Sequence, residues 1–127
     1  MVDIEAEKRL VEQVVQGLVE ADISKDLDRI MALFGEDIIY QPQGFTSLFG
    51  LDAVREYLEK GIPELEDLKA GSHRVEVSMS GDLAYSIGWI KVRNHGMEDY
   101  VDRKYILVCR KIGEEWKIVA ESFSSNT

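Results

Sequence analysis

The chain is poor in several features that would make a function easy to assign. It has one cysteine, Cys109, set inside an apolar run. No disulfide framework can form within one chain, which suits a reducing compartment. It has two histidines, His73 and His95, and neither is spaced with another ligand for zinc. There is no glycine-rich loop to cradle a phosphate and no G-x-S-x-G nucleophile elbow. No cofactor or metal is therefore expected. No apolar run approaches the ~18 residues that would span a bilayer. Lysine and arginine number 15 against 24 acids, a formal net charge of −9, and they gather into no basic stripe. An acidic surface repels nucleic acid and anionic membranes, so neither is expected as a partner. Residues 1–10 mix acids and bases and lack the apolar centre of a secretory leader, so a cytoplasmic setting is expected. No internal repeat and no low-complexity segment is present.

What is present suffices for one domain over residues 1–127, with 45% hydrophobic and 31% charged residues. From Asp3 to Ala21 the apolar residues Ile4, Leu10, Val11, Val14, Val15, Leu18 and Val19 recur at helical spacing, one stripe on a long helix. Ser24 is placed to cap a second, short helix with Leu27, Ile30, Met31 and Phe34 on its stripe, and Gly35 to end it. Asp37 to Gln41 reads as a short strand stopped by Pro42, followed by a loop to Gly50. Leu51 to Lys60 reads as a third helix, and the acidic stretch from Ile62 to Gly71 as irregular.

Four strand-like runs follow: Arg74–Met79, Leu83–Arg93, Arg103–Ile112 and Trp116–Phe123. Helices first and a meander afterwards predict an α+β fold, a curved antiparallel sheet wrapped around N-terminal helices packed on one face. Two-residue turns at Gly81-Asp82 and Gly113-Glu114 set the alternation. One face then carries Val75, Val77, Met79, Ala84, Ser86, Gly88, Ile90, Leu107, Cys109, Ile118 and Ala120, with His73 opposite Ile90. Small residues let a helix lie close, so this face is assigned to the helices and to a pocket beneath them. The other face carries Tyr85, Ile87, Trp89, Ile106, Val108, Val119 and Phe123. An apolar patch of that size predicts a homodimer through the outer sheet face. The alternative is that the faces are exchanged and the aromatic set is core.

The runs 25–34 (KDLDRIMALF), 37–42 (DIIYQP), 50–58 (GLDAVREYL), 81–88 (GDLAYSIG) and 116–122 (WKIVAES) together resemble the nuclear transport factor 2-like superfamily, in its SnoaL-like and ketosteroid-isomerase-like branch. The resemblance covers nearly the whole chain and implies a cystatin-like cone enclosing a pocket beside the first helix, usually dimeric through the sheet. The fold hosts isomerases, cyclases, dehydratases, hydrolases and plain binding modules, so it does not fix the function. The resemblance places Gln41 where the steroid isomerases carry their base, and a carboxamide accepts no proton near neutral pH. It places Leu18 at the isomerase tyrosine and Leu107 near the protonated acid, with Asp102 the nearest carboxyl. The ketosteroid isomerase machinery is therefore not expected.

Seven residues are candidates for the site. Tyr40 and Gln41 fall at the pocket mouth implied by the resemblance, although neighbours on a strand point opposite ways and one of them is ordinary packing. Tyr105 and Ser122 form an expected cross-strand pair, either a satisfied core pair or ligand contacts. Arg103 is either a solvated strand end or, pointing inward, a selector for carboxylate or enolate. His73 and Asp102 are the candidates for moving a proton. His95 reads as a turn residue, and Cys109 as core rather than nucleophile. Two functions fit. One is an enzyme acting without cofactor on a small hydrophobic oxygenated molecule, an isomerase, cyclase or hydrolase. The other is a non-catalytic dimeric module that binds a ligand or peptide.

Overall fold

The computed structural model describes residues 2–127. Helix α1 (Ile4–Ser24) starts at Asp3, whose carboxylate accepts the Ala6 N–H at 3.1 Å. It runs one turn further than its apolar stripe suggests and ends on Lys25, which adopts φ 58°. Ser24 therefore lies inside α1, and the cap of helix α2 (Leu27–Ala32) is Asp26, which accepts the Arg29 N–H at 3.1 Å. The capping carboxylate stands two residues after the expected serine because α1 consumes the intervening turn.

Strand β1 (Phe34–Gln41) begins directly after α2, so Gly35 is strand rather than helix stop. Strand β2 (Leu48–Phe49) returns along β1, and helix α3 (Leu51–Gly61) follows, with a single 3-10 turn at Ile62–Glu64. Then come β3 (Leu65–Val77), β4 (Leu83–Asn94), β5 (Val101–Ile112) and β6 (Glu115–Ser125). The stretch expected to be irregular is thus the first half of β3. Leu65, Leu68 and Ala70 turn inward there, while Glu66 and Lys69 stay exposed, so charge hides the strand pattern.

The sheet is open, in the order β2-β1-β6-β5-β4-β3. Its meander is antiparallel, whereas β1 runs parallel to β6. Helix α1 crosses the concave face against β3, and the core gathers between them around Val11, Leu18, Ile30, Ile38, Val54, Leu107 and Ile118. None of the described helices is long and apolar enough to cross a membrane.

The faces follow the expected alternation up to two bulges. Val77 pairs with Ala84 and Val75 with Ser86, two residues off the predicted register, so the faces are kept and the loop is longer. Met79 therefore sits in that loop, 93% exposed, rather than on the inner face. At His73 β3 carries an extra residue, since Ser72 pairs with Gly88 and Arg74 with Ile87. In β6 the extra residue is Val119, since Cys109 pairs with Ile118 and Val108 with Ala120. Beyond it Leu107 faces Glu121 and Tyr105 faces Phe123. Ala120 and Ser122 thus leave the inner face, and Glu121 and Phe123 enter it.

Gly88 allows the closest approach in the sheet. A Cβ there would stand 2.1 Å from the Gly71 carbonyl oxygen and 2.6 Å from Cε2 of Tyr105. The Tyr105 ring lies over this bare backbone, and its hydroxyl meets Ser86 Oγ at 2.9 Å in the core.

Candidate functional site

A cavity of about 240 Å³ opens between the end of α1, helix α3 and the concave sheet. Its walls are mostly aliphatic and aromatic, among them Leu58, Ile62, Leu65, Leu68, Ile90 and Phe123. A narrow extension of about 40 Å³ reaches under α1 to Leu18, Tyr105 and Leu107. Four ionisable side chains project into this apolar space, Asp22, Glu121, Tyr40 and Arg103, with Tyr57 beside them.

Asp22 comes from the last turn of α1, four residues after Leu18 on the same helix face. Burial pushes its carboxyl up to about 7. The turn holds no basic residue, and the helix C-terminus itself disfavours a negative charge. Glu121 comes from β6 beyond the bulge and is 9% exposed. Burial first, and the nearby Asp22 charge second, push it up to about 8. Its Oε1 finds no hydrogen-bond partner among the described residues. Tyr40 is buried against Phe123 in an edge-on contact of 5.5 Å and against Tyr57 at 5.9 Å. Burial, followed by the charges of Glu121 and Asp22, raises its hydroxyl well above the usual phenol range, so it stays a donor.

Arg103 stands on the inner face of β5, two residues before Tyr105, at the wide end of the cone. Its guanidinium carbon lies 6.0 Å from the Phe123 ring centre. Its Nε is buried and has no hydrogen-bond partner among the described residues. Gln43 also borders the cavity, and its side-chain oxygen accepts the Ser125 N–H at 2.5 Å, tying the loop after β1 to the end of β6.

Of the candidates read from the sequence, Tyr40, Arg103 and Tyr105 line this space. Gln41 is exposed, and its amide donates to Ser47 Oγ at 3.2 Å. Ser122 is exposed on the convex side, because the Val119 bulge separates it from Tyr105. His73 is exposed at its own bulge and borders a convex groove beside Trp89 and Ile106, not the cone. Asp102 is exposed and pairs with Lys91 at 3.6 Å. Neither expected proton carrier therefore reaches the cavity. Cys109 is buried, and burial raises its thiol to about 12, consistent with core packing.

The two carboxyls that do reach the cavity were absent from the sequence reading. Asp22 carried a usable signal, a lone acid on the apolar stripe of α1. Glu121 carried a weaker one, an acid interrupting the apolar run of β6, and its facing depends on a bulge that alternation cannot locate. Leu18 and Leu107 line the deep extension, so the positions at which the resemblance places isomerase donors are aliphatic here.

The SnoaL-like domain model matches residues 11–126. The chain belongs to the SnoaL-like family. No curated protein matches the sequence. Among solved structures, this SnoaL-like protein is similar to a ketosteroid isomerase-like protein from Erwinia carotovora atroseptica, with TM-score 0.85 and 17% identity, covering 95% of this chain and 97% of that one. It is similar to a proposed dehydratase of the nuclear transport factor 2-like family from Streptomyces avermitilis, with TM-score 0.82 and 16% identity over 97% and 98% of the two chains. It is also similar to a domain of cystatin-like fold from Nostoc punctiforme, with TM-score 0.83 and 17% identity over 96% and 78%. At such identities the likeness is one of fold.

Proposed function

We propose that this SnoaL-like protein takes a small hydrophobic oxygenated molecule into the cone and moves a proton on it through its own side chains. Asp22 is the base and Glu121 the acid. The observation that carries this reading is two carboxyls lining one cavity, both lifted toward neutral pH by burial, Glu121 further by the charge of Asp22. The ionised Asp22 removes a proton from carbon next to a carbonyl. The electron pair moves onto the oxygen, which takes the proton of Glu121 or its hydrogen bond. Return of the proton from Asp22 to a different carbon, with the enol proton going back to Glu121, gives an isomer; departure of a β-hydroxyl as water, taking the proton held by Asp22 while the enol proton returns to Glu121, gives a dehydration. Tyr40 adds a second donor to the oxygen. The known shapes similar to this one, an isomerase-like protein and a proposed dehydratase, are compatible with such chemistry.

The test is solvent deuterium exchange into small enolisable ketones, followed by NMR. Asp22→Asn and Glu121→Gln should each slow exchange by about 100-fold or more, the usual scale for general acid–base groups. Activity should peak in a narrow window bounded by about 7 and about 8, where the base is ionised and the acid is not. Exchange that neither substitution slows would end this assignment.

A second reading rests on a different observation, the aliphatic deep end at Leu18 and Leu107. In it the cone only holds its guest, and the protein is a dimeric binding module. Both readings share a homodimer through the convex sheet face, now formed by Tyr85, Ile87, Trp89, Ile106, Val108 and Val119 without Phe123.

A further inference from the structure

We infer that the cavity selects a small organic carboxylate, with its anionic end held by the free edge of Arg103 and its apolar body lying toward Leu68 and Ile90. The inference deepens the proposed function by naming the chemical class of the guest, and it rests on that reading only for the location of the site.

Three observations carry it. First, Arg103 faces the concave side, and its Nε is shut off from water with no partner among the described residues. A guanidinium recognises a carboxylate with two parallel donors, and with Nε enclosed the terminal nitrogens Nη1 and Nη2 are the pair left to a guest. The Phe123 ring lies beside the guanidinium carbon, which limits its orientation. Second, no acid among the described residues forms an ion pair with it. The adjacent Asp102 points outward to Lys91. The carboxyls that share the cavity with Arg103 are the two whose charge burial opposes. Below about 7 both carboxyls are mostly neutral and leave the Arg103 charge uncompensated in the cavity, and above it the ionised Asp22 offsets that charge without pairing with it. A partly buried cation without an anion is unfavourable, and a bound carboxylate removes that penalty. Third, the volume of about 240 Å³, room for about eight waters at ~30 Å³ each, suits a compact molecule the size of an aryl acetate. A neutral guest would fill the apolar walls and leave the guanidinium unanswered.

The ordering of protonation also fits. A neutral Glu121 can donate to an anionic guest, whereas its ionised form would repel one. In the catalytic reading the substrate is then an oxo- or hydroxy-acid, its carboxylate at Arg103 and its reacting oxygen at Glu121.

Isothermal titration with phenylacetate, phenylacetamide and acetate tests this at pH 7. Phenylacetate should bind at least about tenfold more tightly than phenylacetamide, the scale of one hydrogen bond to a charged group. Acetate, which lacks the apolar body, should bind more weakly than phenylacetate. Arg103→Gln should bring phenylacetate down to the level of the amide and leave the amide unchanged, and Arg103→Lys should keep part of the preference. Equal affinity for acid and amide in the unaltered protein would overturn the inference, and so would an Arg103→Gln variant, folded by circular dichroism, that binds phenylacetate as before. If that variant fails to fold, the acid-to-amide ratio of the unaltered protein decides. Binding and proton transfer are separable. Selectivity for the acid with no deuterium exchange on any ketone would remove the proton-transfer reading and keep this one. Exchange without selectivity would do the reverse.

Discussion

Glu121 changes its proton affinity on folding more than an ordinary surface acid can. In the unfolded chain it releases its proton near 4.5, and in the folded protein near 8. Between those values the folded state holds a proton that the unfolded state has lost. Stability is therefore full below about 4.5 and falls as pH rises toward 8. Asp22 acts with the same sign between 3.8 and about 7. Glu7 acts with the opposite sign, since its hydrogen bonds from Lys111 at 2.8 Å and Trp116 at 2.7 Å lower its proton affinity. Its effect belongs to acid pH and leaves the neutral range to the cavity pair. Urea denaturation should show the protein at least about 2 kcal/mol less stable at pH 8.5 than at pH 5.5. Glu121→Gln should remove most of that difference and Asp22→Asn part of the rest. An unchanged difference in Glu121→Gln would mean that this carboxyl is hydrated.

At the scale of elements, the site is made by strand irregularities. The stripe of α1, the third helix, the two hairpins and the small-residue face were legible, because each follows a period that packing imposes over many residues. The facing of Val77, Ala84, Ser86, Leu107 and Ile118 is read correctly from alternation alone. His73, Ser122, Ala120 and Phe123 are read wrongly for one reason. Each lies at or beyond a bulge, and a single extra residue inverts every side chain that follows. The same irregularity concealed Glu121. Arg103 is inward on a stretch of β5 that pairs with β4 without a register shift, whereas Tyr40 follows a shift in β1 between Phe34 and Ile39 and was placed at the pocket mouth by the family resemblance. The β6 bulge also makes a counterintuitive prediction. Deleting Val119 restores plain alternation with Glu121 still inward, so the loss of stability above neutral pH should persist. Inserting one alanine after Ala120 should turn Glu121 and Phe123 outward and abolish that loss. If the insertion kept it, the bulge would not be what aims the carboxyl.

On the scale of the whole molecule, the convex face of the meander is an apolar surface that no element of the described chain covers. Trp89 is 37% exposed and Ile106 51% exposed on neighbouring strands. Around them lie Tyr85, Ile87, Val108 and Val119, half-buried. Two copies packed through this face would shield it by two-fold symmetry. Sedimentation at micromolar concentration should give a species near twice the chain mass of 14.4 kDa. Ile106→Glu with Trp89→Ser should shift it to the monomer, since paired like charges oppose burial at a symmetric contact. A monomer from the unaltered chain would remove the dimer from both functional readings.

The parallel pairing between β1 and β6 ties an early segment to the last strand, with more than half of the chain intervening. Such a long loop is slow to close, so local hairpins and helices can form well ahead of it. During synthesis α1 can meet β3 early, while the edge of β1 still waits for residues 115–125. The carboxyl partnership of Asp22 with Glu121 thus waits for that distant pairing to close, and a chain halted before residue 121 would carry the helix-borne acid without its counterpart.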